Sequence, residues 1–96
     1  MTRQAEADMV GIARYTRRQW NETQEEKYIQ ELFEALAQIA NNPGIGRQYN
    51  KLKPGLRIKT YKKLHYICYR VMEDQVEILR ILHAKQNIQQ QIAKLR

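Results

Sequence analysis

Two imidazoles, His65 and His83, and one thiol, Cys68, stand among the cations Arg57, Lys59, Arg70, Arg80 and Lys85. Side chains of these types can cleave RNA without a metal. Such cleavage needs one group to take the 2′-hydroxyl proton, one to protonate the leaving oxygen, and cations to meet the charge on phosphorus. The same cations, interleaved with tyrosines, can instead hold a polyanion through phosphate contacts and stacking. Other chemistry finds little footing. Two histidines and one cysteine in unrelated contexts do not make a metal-ligand set. Gly44-Ile45-Gly46 lacks the strand before and the helix after that a phosphate loop requires. The sequence has no serine, which removes serine catalysis, and no cofactor motif is visible. Cys68 lies in Tyr66-Ile67-Cys68-Tyr69 and reads as a small buried hydrophobe. As a lone cysteine it can form no internal disulfide. His65 opens an apolar stretch and His83 closes one, and for both a structural place at a strand end outweighs a general base.

The charge is concentrated where these residues lie. Residues 1–40 carry seven acids and five bases, whereas residues 41–72 carry eight bases and no acid. That local field is the main contribution to a net charge of +7. It suits nucleic acid, an acidic protein surface or anionic lipid. The bland alternative is a solvated face that keeps the chain soluble. No apolar run approaches the ~18 residues of a membrane span. The opening MTRQAEADMV is too acidic and polar for a signal peptide, so the expected location is the cytoplasm. At 96 residues the chain fits one domain, 1–96, with a thin core that association could reinforce.

The elements that must position these groups follow from periodicity. Ala5, Met9, Ile12, Ala13 and Thr16 recur at helical spacing, and Trp20 marks the end of that helix. Asn21 with Gln24 resembles a capping box, and Glu22, Glu25 and Glu26 suit a helix N-terminus. Tyr28, Ile29, Leu32, Phe33, Leu36, Ile39 and Ala40 make a second stripe, stopped by Asn41-Asn42-Pro43-Gly44. The short link implies an antiparallel helical hairpin over about 4–40. From Leu56 the period changes to two. Residues 55–61, 65–71 and 76–82 read as three strands of an antiparallel meander over about 56–83. Ile78, Leu79 and Ile81 point to both faces, so the last strand is expected to be the more central one. In the tail, 84–96, Ile88, Ile92 and Leu95 have helical spacing. That helix either folds back on the sheet, binds a partner, or stays partly disordered. The predicted class is therefore α+β: an N-terminal antiparallel hairpin packed on a C-terminal three-stranded antiparallel sheet, with a tail helix.

In that order the pieces resemble the ParE toxins of bacterial type II toxin–antitoxin modules, within the ParE/RelE superfamily. The resemblance rests on Ala5-Glu6-Ala7-Asp8 with Ile12 and Tyr15-Thr16, then Trp20, Tyr28, Leu32 and Leu36. It continues through Asn42-Pro43, Gly46-Arg47, Pro54-Gly55-Leu56-Arg57, His65–Arg70 and Ile78–His83. It covers residues 3–83. The family usually starts with a short strand before the first helix. Here only Met1-Thr2 precede Arg3, so that strand is either missing or cut off, and an open sheet edge is expected that a partner segment could complete.

The resemblance implies a toxin that is not an enzyme, inhibits DNA gyrase and blocks replication, as plasmid-stabilisation modules do. It implies a cognate acidic, partly disordered antitoxin as partner, no membrane, no cofactor and no metal, with homo-oligomers or higher toxin–antitoxin assemblies left open. RelE-like relatives are instead ribosome-dependent messenger-RNA endoribonucleases. No tyrosine follows Tyr69, so the late catalytic tyrosine common among them has no counterpart, and the ParE branch is favoured. A plain basic nucleic-acid-binding module is the third reading. Partner-binding candidates are Arg57, Lys59, Arg70, Arg80, His83 and Lys85; none is assigned a catalytic role.

Overall fold

The computed structural model describes residues 1–95. Two helices come first. Helix α1 spans Arg3–Gln19, with Thr2 as its N-cap accepting a hydrogen bond from the Ala5 amide. It buries Ala5, Met9, Ile12 and Thr16, and the Thr16 hydroxyl is satisfied by donating to the Ile12 carbonyl. Helix α2 spans Glu22–Asn41 and is capped by Asn21, whose side chain accepts from the Gln24 amide at 2.8 Å. That is the expected cap, at roughly 1 kcal/mol of stabilisation. Leu32, Leu36 and Ile39 face inward. Phe33, counted in the apolar stripe, is 53% exposed and points away from the sheet. The stripe is wider than the strip of α2 that the sheet can cover, so its flank stays in water.

A single 3-10 turn at Pro43–Ile45 leads to a four-stranded antiparallel sheet, one strand more than the alternation predicts. The extra strand, β1 (Arg47–Gln48), is two residues long, too short to show a period, and pairs with β2 (Arg57–Tyr61). β3 (His65–Met72) and β4 (Gln75–His83) complete the order β1-β2-β3-β4. The central position of β4 expected from its two apolar faces is thus corrected. β3 is the inner strand, and β4 is an edge strand buried on both faces by helices.

Two cores result. The helical hairpin covers one face of the sheet, joining Ala5, Met9, Ile12, Leu32, Leu36 and Ile39 to Ile67, Tyr69, Ile78 and Ile81. On the other face Leu56, Ile58, Cys68, Leu79 and Leu82 pack with Ile92. Ile92 belongs to α3 (Ile88–Ala93), so the tail helix folds back on the sheet. A β-bulge lets one strand serve both cores. Cys68 pairs with Arg80 but Tyr69 pairs with Ile78, which leaves Leu79 as the extra residue. Strict alternation would put Leu79 on the face of Ile81; the bulge turns it to the second core.

The outer edge of β4 is not bare. The Thr2 amide donates to the Ile78 carbonyl and its hydroxyl to the Leu79 carbonyl. The Ile81 amide donates to Asp8 of α1 at 2.9 Å. The open edge expected of a missing first strand is therefore capped at three points. Asp8 also receives Arg80 in two-pronged fashion, Nε at 2.8 Å and Nη2 at 2.9 Å, while Nη1 reaches Gln91 of α3. Only 13% and 15% of the two charged side chains is exposed. Removing one partner of so enclosed a pair leaves the other uncompensated. Asp8→Ala should therefore cost about 2–4 kcal/mol in urea unfolding. A loss below about 1 kcal/mol, the range of an exposed pair, would show that water already screens it.

Candidate functional site

Two regions of the molecule carry exposed functional groups. The first is the β1–β2 edge. Arg57 is aimed by the loop before it: its Nη1 donates to the Gly46 carbonyl at 2.7 Å. Gly46 is itself fastened by Tyr69, whose hydroxyl accepts from the Gly46 amide and donates to the Pro43 carbonyl. A side chain at Gly46 would collide with the Tyr69 ring, which explains the glycine. Lys59 follows on the same strand side and is exposed, as are Arg47 and Lys51. Among the described residues none of these cations makes an ion pair.

The second region lies where β3 begins and β4 ends. His65 and His83 are cross-strand partners, their rings 5.4 Å apart and edge to face. The Tyr28 hydroxyl lies 2.7 Å from His65 Nδ1. The Lys85 amide donates to His83 Nδ1 at 3.0 Å. An amide can only donate, so the neutral His83 ring carries its proton on Nε2. Burial, with a smaller contribution from His83, pushes the His65 pKa down to about 4, so that ring is neutral at pH 7. Burial first, then Tyr61 and Glu31, raises the Tyr28 hydroxyl to about 12 and keeps it protonated. Two adjoining cavities, of about 300 and 290 Å³, share Tyr15, His65 and His83 in their walls. The first runs past Ala7, Gly11 and Ile81, the second past Trp20, Tyr28 and Leu64.

The six residues expected to bind partners do not form one patch. Arg57 and Lys59 share the β1–β2 edge, and His83 and Lys85 stand at the groove. Arg70 is held by Glu77 at 2.9 Å. Arg80 is held by Asp8, which raises its pKa further and secures its charge. Tyr15, Trp20, Leu64 and Gly11 were not singled out as site residues. Tyr15, Trp20 and Leu64 are large apolar groups at exposed positions, with Trp20 69% exposed, and Gly11 adds nothing to an apolar stripe. Among the described residues no cluster of His, Cys, Asp and Glu could hold a metal. Burial drives the Cys68 thiol up to about 12, in keeping with a core role.

Against this geometry the comparisons fall into place. The family model for the ParE toxin of type II toxin–antitoxin system, parDE, matches residues 1–88. The chain belongs to the ParE toxin family. Among curated proteins it is 31% identical to Toxin ParE of Escherichia coli over 93 residues, 97% of this chain and 90% of that protein. It is 34% identical to Toxin ParE1 of Caulobacter vibrioides over 87 residues, 91% and 88% of the two chains. Toxin ParE1 of Mycobacterium tuberculosis is also 34% identical, over 85 residues, 88% and 86%. The ParE match thus includes the hairpin, the whole sheet and the start of α3. No described helix is long and apolar enough to cross a membrane.

The hairpin tip between β2 and β3 is unusual. Lys62 and Lys63 both adopt left-handed backbone, φ 51° and 58°, in a turn that favours Asn-Gly. Lys62 is pinned there by an ion pair with Glu31 and by the rings of Tyr28 and Tyr61, each 5.6 Å away. Lys63 has no such restraint, so its strain is not returned in contacts. Lys63→Gly should raise unfolding stability by about 1 kcal/mol, read in urea; an unchanged or lower midpoint would mean the turn is not strained. The depressed His65 pKa predicts a second effect. The unfolded chain binds a proton below about 6.5 that the folded chain accepts only near 4. Stability is complete above pH 6.5 and falls as pH drops toward 4. His65→Asn, whose amide can accept from or donate to Tyr28, should flatten the contribution of this group between pH 6.5 and 4. An identical slope in both proteins would assign the acid limb to other groups.

Proposed function

We propose that this protein is the toxin of a type II toxin–antitoxin pair that acts on DNA gyrase and blocks replication without catalysing a reaction, and that a cognate antitoxin silences it. The observation that carries the non-enzymatic reading is the occupation of the arginines on β3 and β4. A metal-free ribonuclease needs cations free to meet the charge on a scissile phosphate. Arg80 is spent on Asp8 and Gln91, and Arg70 on Glu77. His65 is a poor proton acceptor at about 4, far from the neutral range a general base needs. Among the described residues Arg47, Arg57 and Lys59 at the β1–β2 edge make no ion pair, and they stand apart from the two imidazoles. An edge of that kind suits contact with an acidic antitoxin or with DNA held by gyrase.

Expression in bacteria without the antitoxin tests the reading. DNA breaks and stalled replication should come first, with messenger RNA intact. Early cleavage of ribosome-bound messages would move the protein to the RelE-like ribonucleases, and salt-sensitive nanomolar binding to free DNA would favour a plain nucleic-acid module. Charge reversal at the edge gives an independent check. The pair Arg57→Glu and Lys59→Glu should slow antitoxin association roughly tenfold at low salt and flatten its salt dependence. Unchanged rates across a salt series would exclude the edge from antitoxin encounter.

A further inference from the structure

The two adjoining cavities form one groove along α1, from Ala7 past Gly11 and Tyr15 to Trp20, a run of about 20 Å at 1.5 Å per residue. Gly11 is its least expected component. Glycine in a helix interior is less favourable than alanine, and a Cβ at Gly11 would meet nothing within 4 Å. Folding therefore does not require the glycine; what it provides is open space beside β4. His65 is the second component. It is only 8% exposed, its Nδ1 is engaged with Tyr28, and among the described residues its Nε2 has no hydrogen-bond partner. His83 shares that wall, and the Lys85 amide on its Nδ1 leaves Nε2 to carry the ring N–H.

Size and charge select the occupant. An α-helix is about 10 Å across with its side chains and needs more room than two cavities of about 300 and 290 Å³ provide. An extended chain fits. The walls are largely carbon, contributed by Ile12, Tyr15, Trp20, Leu64 and Ile81, which suits side chains better than phosphates. At 100° per residue Arg14 and Arg18 lie within about 20° of Ala7 on α1, along the same stripe. Lys63 adjoins Leu64, and Lys85 lies two residues past His83. Among the described residues these four cations make no ion pair, so the rim favours an anionic guest.

We propose that the groove binds an extended acidic segment of a protein partner, whose oxygens accept from the His83 Nε2–H and whose apolar side chain fills the space over Gly11. The proposal rests on the antitoxin reading above and assigns that partner a site on α1 distinct from the β1–β2 edge. The test uses the full chain and its cognate antitoxin. Gly11→Leu fills the groove at a position where the helix gains from losing glycine, so the variant should melt no lower than the wild type yet bind the antitoxin at least tenfold more weakly. His83→Gln keeps an N–H donor and should bind within about threefold of wild type, whereas His83→Phe should lose about tenfold. Equal affinity of Gly11→Leu and wild type would overturn the groove and leave the antitoxin reading standing. An antitoxin that binds neither protein would remove that reading and this one together. Displacement of the antitoxin from the groove by a single-stranded DNA hexamer, seen as competing shifts of the His83 Nε2–H resonance, would replace the peptide by nucleic acid and overturn the proposal.

Discussion

The Asp8 carboxylate organises the molecule because three donors converge on it from one strand. Two come from the Arg80 guanidinium and one from the Ile81 amide. The bulge at Leu79 makes this arrangement possible by adding one residue to β4 opposite the Cys68–Tyr69 step. Arg80 then stands at the rim of the sheet, where it reaches α1 on one side and α3 on the other. The same contact shuts part of the β4 edge and fixes the spacing between α1 and β4. The groove beside Gly11 is the gap left once that spacing is set. A charge that sequence reading assigns to partner binding is thus consumed in holding three elements together.

That division runs through the whole charge distribution. Arg17, Lys62, Arg70 and Arg80 are matched by carboxylates, each joining two elements or two strands. Among the described residues Arg47, Arg57 and Lys59 at the β1–β2 edge and Arg14, Arg18, Lys63 and Lys85 around the groove make no ion pair. The exposed pairs contribute little to stability each, whereas the Asp8–Arg80 pair is enclosed enough to matter. The excess of positive charge in residues 41–72 is therefore mostly available for association, since among the described residues only Lys62 and Arg70 of its eight bases are paired.

Most of the fold was legible because it is written in periods. The stripes of α1 and α2, the alternation in β2, the two-faced apolar run of β4, and the spacing of Ile88 and Ile92 each pointed to the correct element type. Two-residue β1 carries no period, so only pairing with β2 reveals it. The place of β4 was misjudged because burial on both faces does not distinguish an inner strand from an edge strand sandwiched by helices. Phe33 was misplaced because periodicity gives the direction of a side chain but not how far the covering layer extends. The groove was least legible. Its walls come from α1, the α1–α2 junction, the β2–β3 tip and the end of β4. No spacing along the chain brings Gly11, Tyr15, Leu64 and His83 together; the antiparallel register of β3 and β4 and the lie of α1 do. His65 and His83 were each read correctly as strand-end residues, yet their pairing across strands is a tertiary fact.

The two hairpin tips of β3 are both built from left-handed, non-glycine pairs: Lys62-Lys63 at one end and Glu73-Asp74 at the other. Across the eight residues of β3 the tips stand about 25 Å apart. The strand thus ends in two lysines at one tip and two acids at the other, while Arg57 and Arg70 lie nearer the acidic tip. A polyanion drawn to the lysine tip arrives beside Leu64, at the mouth of the space it shares with Trp20.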